Sequence, residues 1–270
     1  MIIFKSINKL NKKVNFKAST GFVPTMGSLH NGHISLINRS KKMCKKTLVS
    51  IFINPAQFNK LNDLKNYPRN LNKDIKILKK LKIDYLLIPK TSEIYKKKGD
   101  RSIKLNKKDK IMCSIKRPGH FEGVLAVINQ FLSNIKPTHI FLGEKDYQQL
   151  FLIKKFVKKK FNIKIRQCTT VRSKNKIALS SRNILLNQKD LKISSNIAKL
   201  LFKYKNSLQK NIKVKKKIEN FYNKINNMKN IKIDYLEIRN KVNLSKNFNK
   251  NNFKIFIAYY NKKIRLIDNF

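Results

Sequence analysis

The sequence lacks the features of a disulfide-rich, zinc-binding or membrane-spanning protein. Its three cysteines, Cys44, Cys113 and Cys168, lie far apart, without a CxxC motif or a Cys/His spacing that would hold zinc. No apolar run approaches the ~18 residues of a membrane span. The first residues, MIIFKSINKL, lack the long apolar stretch of a secretory signal. We therefore expect a soluble protein of the cytoplasm that does not bind membranes.

Acidic residues are scarce: 14 Asp and Glu stand against 63 Lys and Arg, which gives a formal net charge of +49. Such a charge, taken alone, indicates binding to nucleic acid or to an anionic membrane. The basic residues, however, are mostly Lys, occur along the whole chain and accompany abundant Asn and Ile. Arg and aromatic residues, the common nucleic-acid contacts, are not concentrated anywhere. We attribute the excess to an A/T-rich coding bias and predict no nucleic-acid partner.

The first part of the chain alternates between strands and helices. Short, continuous apolar runs at Leu48–Ile53, Tyr85–Ile88 and His139–Leu142 are typical of strands buried on both faces. Apolar residues at helical spacing lie between them, for example over Val124–Ile135. This order predicts an α/β fold with a Rossmann-like parallel sheet and helices on both faces.

The pattern changes after about Arg172. Two helical stretches are followed by three strand-like stretches, namely Leu191–Tyr204, Ile212–Ile225, Ile231–Ile238, Phe253–Ala258 and Ile264–Ile267. We predict a Rossmann-like domain over residues 1–172 and a smaller α+β domain over residues 173–270.

The segment GFVPTMGSLHNGH, residues 21–33, carries the strongest chemical signal. A strand leads into a glycine turn and then into the start of a helix, where backbone N–H groups and the helix dipole favour phosphate. His30 and His33 share one helix face and can donate hydrogen bonds to a triphosphate. Two surface histidines, or a metal site without a carboxylate or Cys, are the weaker alternatives.

Three further segments carry polar groups beside predicted strand ends or loops. In ALSSRN, the hydroxyls of Ser180 and Ser181 and the guanidinium of Arg182 suit phosphate, although alone they would indicate only a loop or helix cap. In FLGEKDYQQ, residues 141–149, the predicted strand ends at Gly143, and Lys145 and Asp146 come directly after it. Alone, this segment would indicate only an exposed helix start.

SIFINPAQF, residues 50–58, places Asn54 and Gln57 after another strand, where an ordinary turn is the alternative. Both amides offer uncharged hydrogen-bonding groups for hydroxyls and carboxylates. RPGHFEGV, residues 117–124, opens a helix, and we expect its His120 to be structural or close to substrate, not catalytic.

These segments, in this order and spacing, resemble the pantoate–β-alanine ligase family, a branch of the nucleotidylyltransferase superfamily with HIGH-like and KMSKS-like motifs. The resemblance covers almost the whole chain, including RLIDN at residues 265–269. One departure is Lys174-Asn175-Lys176, where relatives often have an Asp-Gly turn.

The resemblance implies an ATP- and Mg²⁺-dependent condensation of pantoate with β-alanine through a pantoyl-adenylate, releasing AMP and pyrophosphate, by a homodimer with a C-terminal lid domain. It implies that His33, with His30, is catalytic, His33 as proton donor, and that Gln57 and Gln149 bind pantoate. It also implies an ATP site formed by Met26, Gly27, Ser28, Leu29, His30, Asn31, Gly32, His33, Gly143, Glu144, Lys145, Asp146, Val171, Leu179, Ser180, Ser181 and Arg182.

Two rival functions remain open at this point. A nucleotidylyltransferase acting on a phosphorylated alcohol would keep the histidine segment but would not need Asn54, Gln57 and Gln149 as a neutral pocket. An RNA-binding protein would rest on net charge alone and would show no nucleotide turnover.

Overall fold

The chain forms two compact units, Met1–Thr170 and Val171–Phe270. A computed structural model of the chain describes residues 1–16, 18–95, 103–211 and 217–270. Within these residues, no helix is both long and apolar enough to cross a membrane.

The first unit is built on a parallel sheet. Its order is β1-β4-β3-β2-β5-β6, and every pairing is parallel. The strands are β1 (Ile2–Phe4), β2 (Thr20–Thr25), β3 (Lys46–Ile51), β4 (Tyr85–Leu87), β5 (His139–Gly143) and β6 (Lys164–Cys168). This architecture confirms the predicted α/β class.

Helices cover the sheet. They are α1 (Ile7–Lys13), α2 (Asn31–Met43), α3 (Leu61–Lys65), α4 (Leu71–Lys80), α5 (Thr91–Ile94), α6 (Cys113–Lys116), α7 (His120–Ile135) and α8 (Tyr147–Lys160). Strand β3 is buried at every position from Thr47 to Ile51, as expected for a strand covered on both faces. One core cluster joins strand and helix residues, among them Val23, Val49, Leu86, Phe141, Ile37 and Leu78.

The strand order reverses at β2, which lies between β3 and β5. Gly21 pairs with His139 and Phe22 with Ile140, and this register carried forward brings Thr25 level with Gly143. Ligands of open α/β sheets bind at the carboxyl ends of the strands where the order reverses. The segments that follow β2 and β5 therefore begin at the edge where a ligand is expected.

The second unit packs two helices against an antiparallel sheet. Helices α9 (Gln188–Lys210) and α10 (Ile218–Asn226) precede strands β7 (Ile231–Asn240), β8 (Phe253–Asn261) and β9 (Ile264–Asn269), in the order β7-β8-β9. Its core includes Tyr204, which is fully buried and stacks on Phe221 at 4.2 Å between ring centroids. The unit has the predicted α+β content.

The predicted and observed elements differ in a few places. Strand β1 and helix α1 were not predicted, because β1 has only three residues and α1 only seven, with apolar residues at Ile7 and Leu10 alone. The predicted helix Ile212–Ile225 corresponds to α10, which begins at Ile218 in the described residues, while residues 212–216 lie outside them. The predicted break after Arg172 lies close to the observed one, after Thr170.

Candidate functional site

The turn after β2 is held by a buried carboxylate. Gly27 and Ser28 have φ angles of 80° and 50°, in the left-handed region. Asp74 of α4 accepts hydrogen bonds from the backbone N–H groups of Ser28 and Leu29, both at 2.8 Å. The Asp74 carboxylate therefore fixes the path of the chain between β2 and α2.

Asp74 is 1% exposed, and burial raises the pKa of its carboxyl, an effect that the two backbone N–H groups oppose. A Cβ on Gly27 would come within 3.0 Å of Asp74 Oδ2, so only glycine fits this turn at that φ. Asp74 was not predicted as a site residue, because it lies far beyond the turn in the chain, inside an ordinary helical pattern. An acidic residue in such a basic chain was the one available signal.

His30 and His33 form a reciprocal cap at the start of α2. His30 is the N-cap residue, and its Nδ1 accepts from the backbone N–H of Gly32 at 3.1 Å. His33 Nδ1 accepts from the backbone N–H of His30 at 3.4 Å. The two ring centroids are 4.1 Å apart. Asn31 is exposed, as the first residue of the helix.

These bonds fix the tautomer of both rings. Since each Nδ1 accepts a hydrogen bond, each neutral imidazole carries its proton on Nε2. Burial, with a smaller contribution from the Lys145 charge, lowers the pKa of His30 to about 4. Burial and the neighbouring His30 lower the pKa of His33 to about 3. In the free protein at neutral pH, both rings are therefore uncharged donors through Nε2.

The end of β5 brings charged groups to the same edge. After Gly143, residues Glu144–Asp146 form a 3-10 turn that leads into α8. Lys145 Nζ lies 3.3 Å from Asp146 Oδ1. Lys145 lowers and Asp146 raises the pKa of His30 and of His33, so both charges act on the histidine pair. The structure thus brings the segments at residues 21–33 and 141–149 to the same edge of the sheet.

The predicted pantoate residue Gln57 lies beside the same turn. It is 8% exposed, and its Nε2 donates to the Met26 sulfur at 2.8 Å. This contact gives the Gln57 amide a fixed neighbour. Because a thioether is a weak acceptor, the amide can still donate to a stronger acceptor on a ligand. Gln57 lies in the 3-10 turn Pro55–Gln57 that follows β3.

Asn54 has a different role from the one we expected. It is 1% exposed, and its Nδ2 donates to Gln57 Oε1 at 3.3 Å and to the Gly123 carbonyl at 2.9 Å. Its Oδ1 accepts from the backbone N–H of Ala56 and from the Tyr95 hydroxyl. Because these bonds occupy both ends of the amide, Asn54 orients Gln57 and is not a free substrate ligand.

Helix α7 packs directly against the Gln57 turn. A Cβ on Gly123 would lie 2.1 Å from the Ala56 carbonyl oxygen, so the helix contacts the turn backbone to backbone. His120 Nδ1 lies 2.7 Å from the Gln57 carbonyl, and its Nε2 is 3.1 Å from Arg117 Nη1. These contacts agree with the expected structural role of His120.

The two adjacent glutamines of α8 differ in their contacts. Gln148 is buried and bonds with the backbone of residues 111–113, accepting from Cys113 N and donating to the Ile111 carbonyl. Gln149 is partly buried, and its side chain makes no hydrogen bond to the rest of the described chain. Of the two, Gln149 is the one with an amide available to a ligand.

The remaining predicted ATP-site residues belong to the second unit. Val171 and Leu179 are joined by a bond from Leu179 N to the Val171 carbonyl, 3.0 Å long, at the base of a small hairpin. Ser180 caps the 3-10 turn Ser181–Leu185 through its Oγ, which accepts from Arg182 N at 3.3 Å. Ser181 is buried. The loop is therefore a capped turn at the end of a hairpin.

The described part of the chain contains no cluster of three or more His, Cys, Asp or Glu side chains that could hold a metal ion. Asp146, whose side chain is 45% exposed, is the carboxylate that acts on the histidine pair. One carboxylate can supply only a single ligand group, so an ion here would take most of its ligands from the oxygens of a bound molecule.

Comparisons with known proteins agree over the full length. A family model described as pantoate-beta-alanine ligase matches residues 2–270. The pantothenate synthetase of Francisella tularensis subsp. novicida (strain U112) is 40% identical, over 100% of this chain and 97% of that protein. A crystal structure of pantoate-beta-alanine ligase from Francisella tularensis, complexed with beta-gamma ATP and beta-alanine, is 38% identical with a TM-score of 0.85, covering 100% of this chain and 97% of that one.

Pantothenate synthetase from Thermus thermophilus is also similar in structure. It is 27% identical, with a TM-score of 0.91, and covers 100% of this chain and 99% of that one. The full-length match to the family model and the identity to these relatives show that this chain is an enzyme of the pantoate–β-alanine ligase family.

Proposed function

We propose that this enzyme uses ATP to condense pantoate with β-alanine through a pantoyl-adenylate, releasing AMP and pyrophosphate. The observation that carries the proposal is the reciprocal cap of His30 and His33, which uses both Nδ1 atoms and leaves both Nε2–H groups as donors at a phosphate-binding helix start. The Francisella structure with an ATP ligand and β-alanine supports the choice of substrates.

The first step forms an acyl phosphate anhydride. A pantoate carboxylate oxygen attacks the α-phosphorus of ATP, and the bond from that phosphorus to the bridging oxygen of pyrophosphate breaks. Negative charge develops on the pentacoordinate phosphorus and on the leaving pyrophosphate. Donors fixed before the reaction stabilise that charge without reorganising, which is the largest common contribution to such catalysis.

His33 is the proposed proton donor. Its pKa of about 3 keeps the ring neutral in the free protein. A bound triphosphate would raise that pKa, because a nearby negative charge favours the imidazolium, whose second proton goes to Nδ1 and replaces the hydrogen bond accepted there from His30 N. His33 can then donate its Nε2 hydrogen to the leaving pyrophosphate, and His30 can donate to a neighbouring phosphate oxygen. The other proposed ATP contacts are Met26–Leu29, Asn31, Gly32, Gly143–Asp146, Val171 and Leu179–Arg182.

In the second step, the β-alanine amine attacks the activated carbonyl. The amide bond forms, the bond between that carbonyl carbon and the AMP oxygen breaks, and the amine releases a proton. We propose that Gln57 and Gln149 hold pantoate through both steps. Neutral amides suit a hydroxy acid because they bind hydroxyls and the carboxylate without neutralising the nucleophile.

Mg²⁺ is proposed to enter with ATP. The phosphate oxygens would supply most of its ligands, and Asp146 is the acidic side chain placed to join them. The bound ion would supply charge neutralisation at the phosphates. A homodimer acting in the cytoplasm also remains a prediction.

The test is pyrophosphate release from ATP with the purified protein. We expect release that requires pantoate, and pantothenate formation that also requires β-alanine. A nucleotidylyltransferase for a phosphorylated alcohol would release pyrophosphate with that alcohol and not with pantoate. Tight, salt-sensitive RNA binding by a folded protein that releases no pyrophosphate would instead support the RNA-binding alternative.

A further inference from the structure

Arg172, at the start of the second unit, is enclosed by side chains and backbone carbonyls. Its guanidinium carbon lies 4.9 Å and 4.8 Å from the ring centroids of Phe202 and Phe270. Nη1 and Nη2 are each 2.7 Å from one carboxylate oxygen of Asp268, which makes a two-pronged ion pair. The arrangement uses the planar shape of the guanidinium as well as its charge.

The same guanidinium bonds to two backbone carbonyls. Nη1 donates to the Lys176 carbonyl and Nη2 to the Asn269 carbonyl, both at 2.9 Å. Lys176 has a φ of 70° in the tight turn closed by the bond from Ser173 N to the Ile177 carbonyl. Arg172 therefore ties the turn of a strained hairpin to the end of strand β9.

That hairpin leads directly into Leu179–Arg182. Leu179 N donates to the Val171 carbonyl, so the first residue of the loop also makes the last hydrogen bond of the hairpin. Ser180, Asn183 and Asp268 line one small cavity, which places the carboxylate partner of Arg172 beside the loop. The position of the Leu179–Arg182 backbone thus depends on the contacts of Arg172.

We propose that Arg172 is a positioning residue for the Leu179–Arg182 loop, an inference that rests on the proposed role of this loop at the ATP phosphates. Hydroxyl and guanidinium groups that contact phosphate must be placed to within a fraction of an ångström, and small misplacements by distant residues reduce rates strongly. Lysine cannot replace Arg172, because it lacks the two-pronged fork and the flat face that packs between two rings.

The test compares Arg172→Lys and Asp268→Asn with a matched ion pair. Arg265 Nη2 lies 2.7 Å from Asp234 Oδ2, the two side chains are 13% and 14% exposed, and the pair joins β9 to β7. Arg172 and Asp268 are 16% and 10% exposed. The controls are therefore Arg265→Lys and Asp234→Asn, which disturb an ion pair of similar burial that also involves a residue of β9.

We expect Arg172→Lys and Asp268→Asn to lower kcat for pantoate-dependent pyrophosphate release by roughly 10- to 100-fold. The KM for ATP should rise while the KM for pantoate stays unchanged, since Gln57 and Gln149 belong to the first unit. A purely structural loss would reduce the active fraction and leave both KM values as they were. The control variants should keep wild-type kcat and KM values.

Hydrogen exchange gives a readout that does not depend on activity. The amides of Ser173 and Leu179, both bonded across the hairpin, should exchange faster in Arg172→Lys than in Arg265→Lys. Should Arg172→Lys fail to fold, Phe202→Leu removes one ring and keeps the ion pair, and a smaller change in the same direction is expected.

Equal kinetics and equal amide protection in the Arg172 and Arg265 variants would overturn the inference. Failure of the proposed function would look different, because the wild-type protein would then release no pantoate-dependent pyrophosphate.

Discussion

His33 Nδ1 accepts the backbone N–H of His30, while His30 Nδ1 accepts that of Gly32. Each ring thus stabilises the first turn of α2 with Nδ1 and, when neutral, carries its hydrogen on Nε2. The same pair of side chains is part of the fold and part of the proposed chemistry. Substitutions here consequently need readouts that separate stability from turnover.

The first prediction concerns His33. We expect His33→Ala to slow pyrophosphate release by at least ~10²-fold, because the variant loses the proposed proton donor. Steady-state assays on folded protein, checked by circular dichroism, measure the effect. His139→Ala is the control, since His139 lies at the start of β5, at the opposite end of the sheet. A near-native rate for His33→Ala would remove His33 from the mechanism.

The second prediction concerns acid stability. The pKa of His33 is about 3 in the folded chain, against an ordinary value of 6.5. Between these values the unfolded chain binds a proton on His33 and the folded chain does not, so the free energy of unfolding falls as the pH drops. We expect the thermal midpoint to fall less steeply between pH 6.5 and about 3 in His33→Gln, measured by circular dichroism. Parallel curves for the two proteins would contradict the assignment.

The third prediction concerns Asp74. Asp74→Asn replaces one of two accepting oxygens by an NH₂ group that faces a backbone N–H. An unsatisfied buried donor costs about 1–3 kcal/mol, so the free energy of unfolding should fall by that order and the KM for ATP should rise. Thermal or denaturant unfolding and steady-state kinetics with varied ATP measure the two effects.

Asp84→Asn is the matched control for Asp74. Asp84 also accepts a backbone N–H, that of Thr47, but at the amino end of the strands. We expect it to change stability without changing the KM for ATP. An unchanged KM for ATP in Asp74→Asn would show that the turn does not need this carboxylate for nucleotide binding.

The fourth prediction concerns Gly123. In Gly123→Ala, the added Cβ would overlap the Ala56 carbonyl, and the turn that carries Gln57 must move. Overpacking of this kind costs about 1–3 kcal/mol, and we expect a raised KM for pantoate with a smaller effect on the KM for ATP. Gly143→Ala is the control for stability alone, because its Cβ would meet no atom within 4 Å, and it is no control for kinetics, because Gly143 is a proposed ATP contact. A pantoate KM equal to wild type would contradict the proposed role of Gln57.

The fifth prediction concerns Lys176. Its φ of 70° is costly for a residue with a Cβ, by roughly 1–2 kcal/mol, and glycine adopts it freely. We expect Lys176→Gly to raise the thermal midpoint, because it relieves this strain. The gain is reduced in part, because glycine also increases the conformational entropy of the unfolded chain. Lys174 lies in the same turn but does not have a positive φ, so it has no such strain to relieve. We therefore expect Lys174→Gly to lower the midpoint. A lowered midpoint in both variants would show that the turn is not strained.

Much of the sheet could be predicted because several of its strands are continuous apolar runs, and Leu48–Ile53 and Tyr85–Ile88 overlap β3 and β4 closely. The helix start at His30 could also be predicted, since a strand, a glycine turn and polar residues precede it. Strand β1 could not, because three residues with two exposed side chains leave no periodic pattern.

The supporting residues of the site were harder to find. Asp74 and Arg172 act through contacts that link positions 45 and 96 residues apart in the chain. Such pairs are set by how helices and strands pack, which residue spacing does not encode. Asn54 was found, but its role was wrong, because only packing shows that Gly123 and Tyr95 already occupy its amide.

The backbone contact between α7 and the Gln57 turn also limits how this enzyme can be adapted to other acids. Gly123 has no side chain that a smaller residue could replace, and the Ala56 carbonyl leaves no space for a larger one. Helix α8 offers the alternative, because the side chain of Gln149 is partly exposed and makes no hydrogen bond to the described chain. A search for variants that accept bulkier hydroxy acids should therefore begin at Gln149, one of the two proposed pantoate contacts.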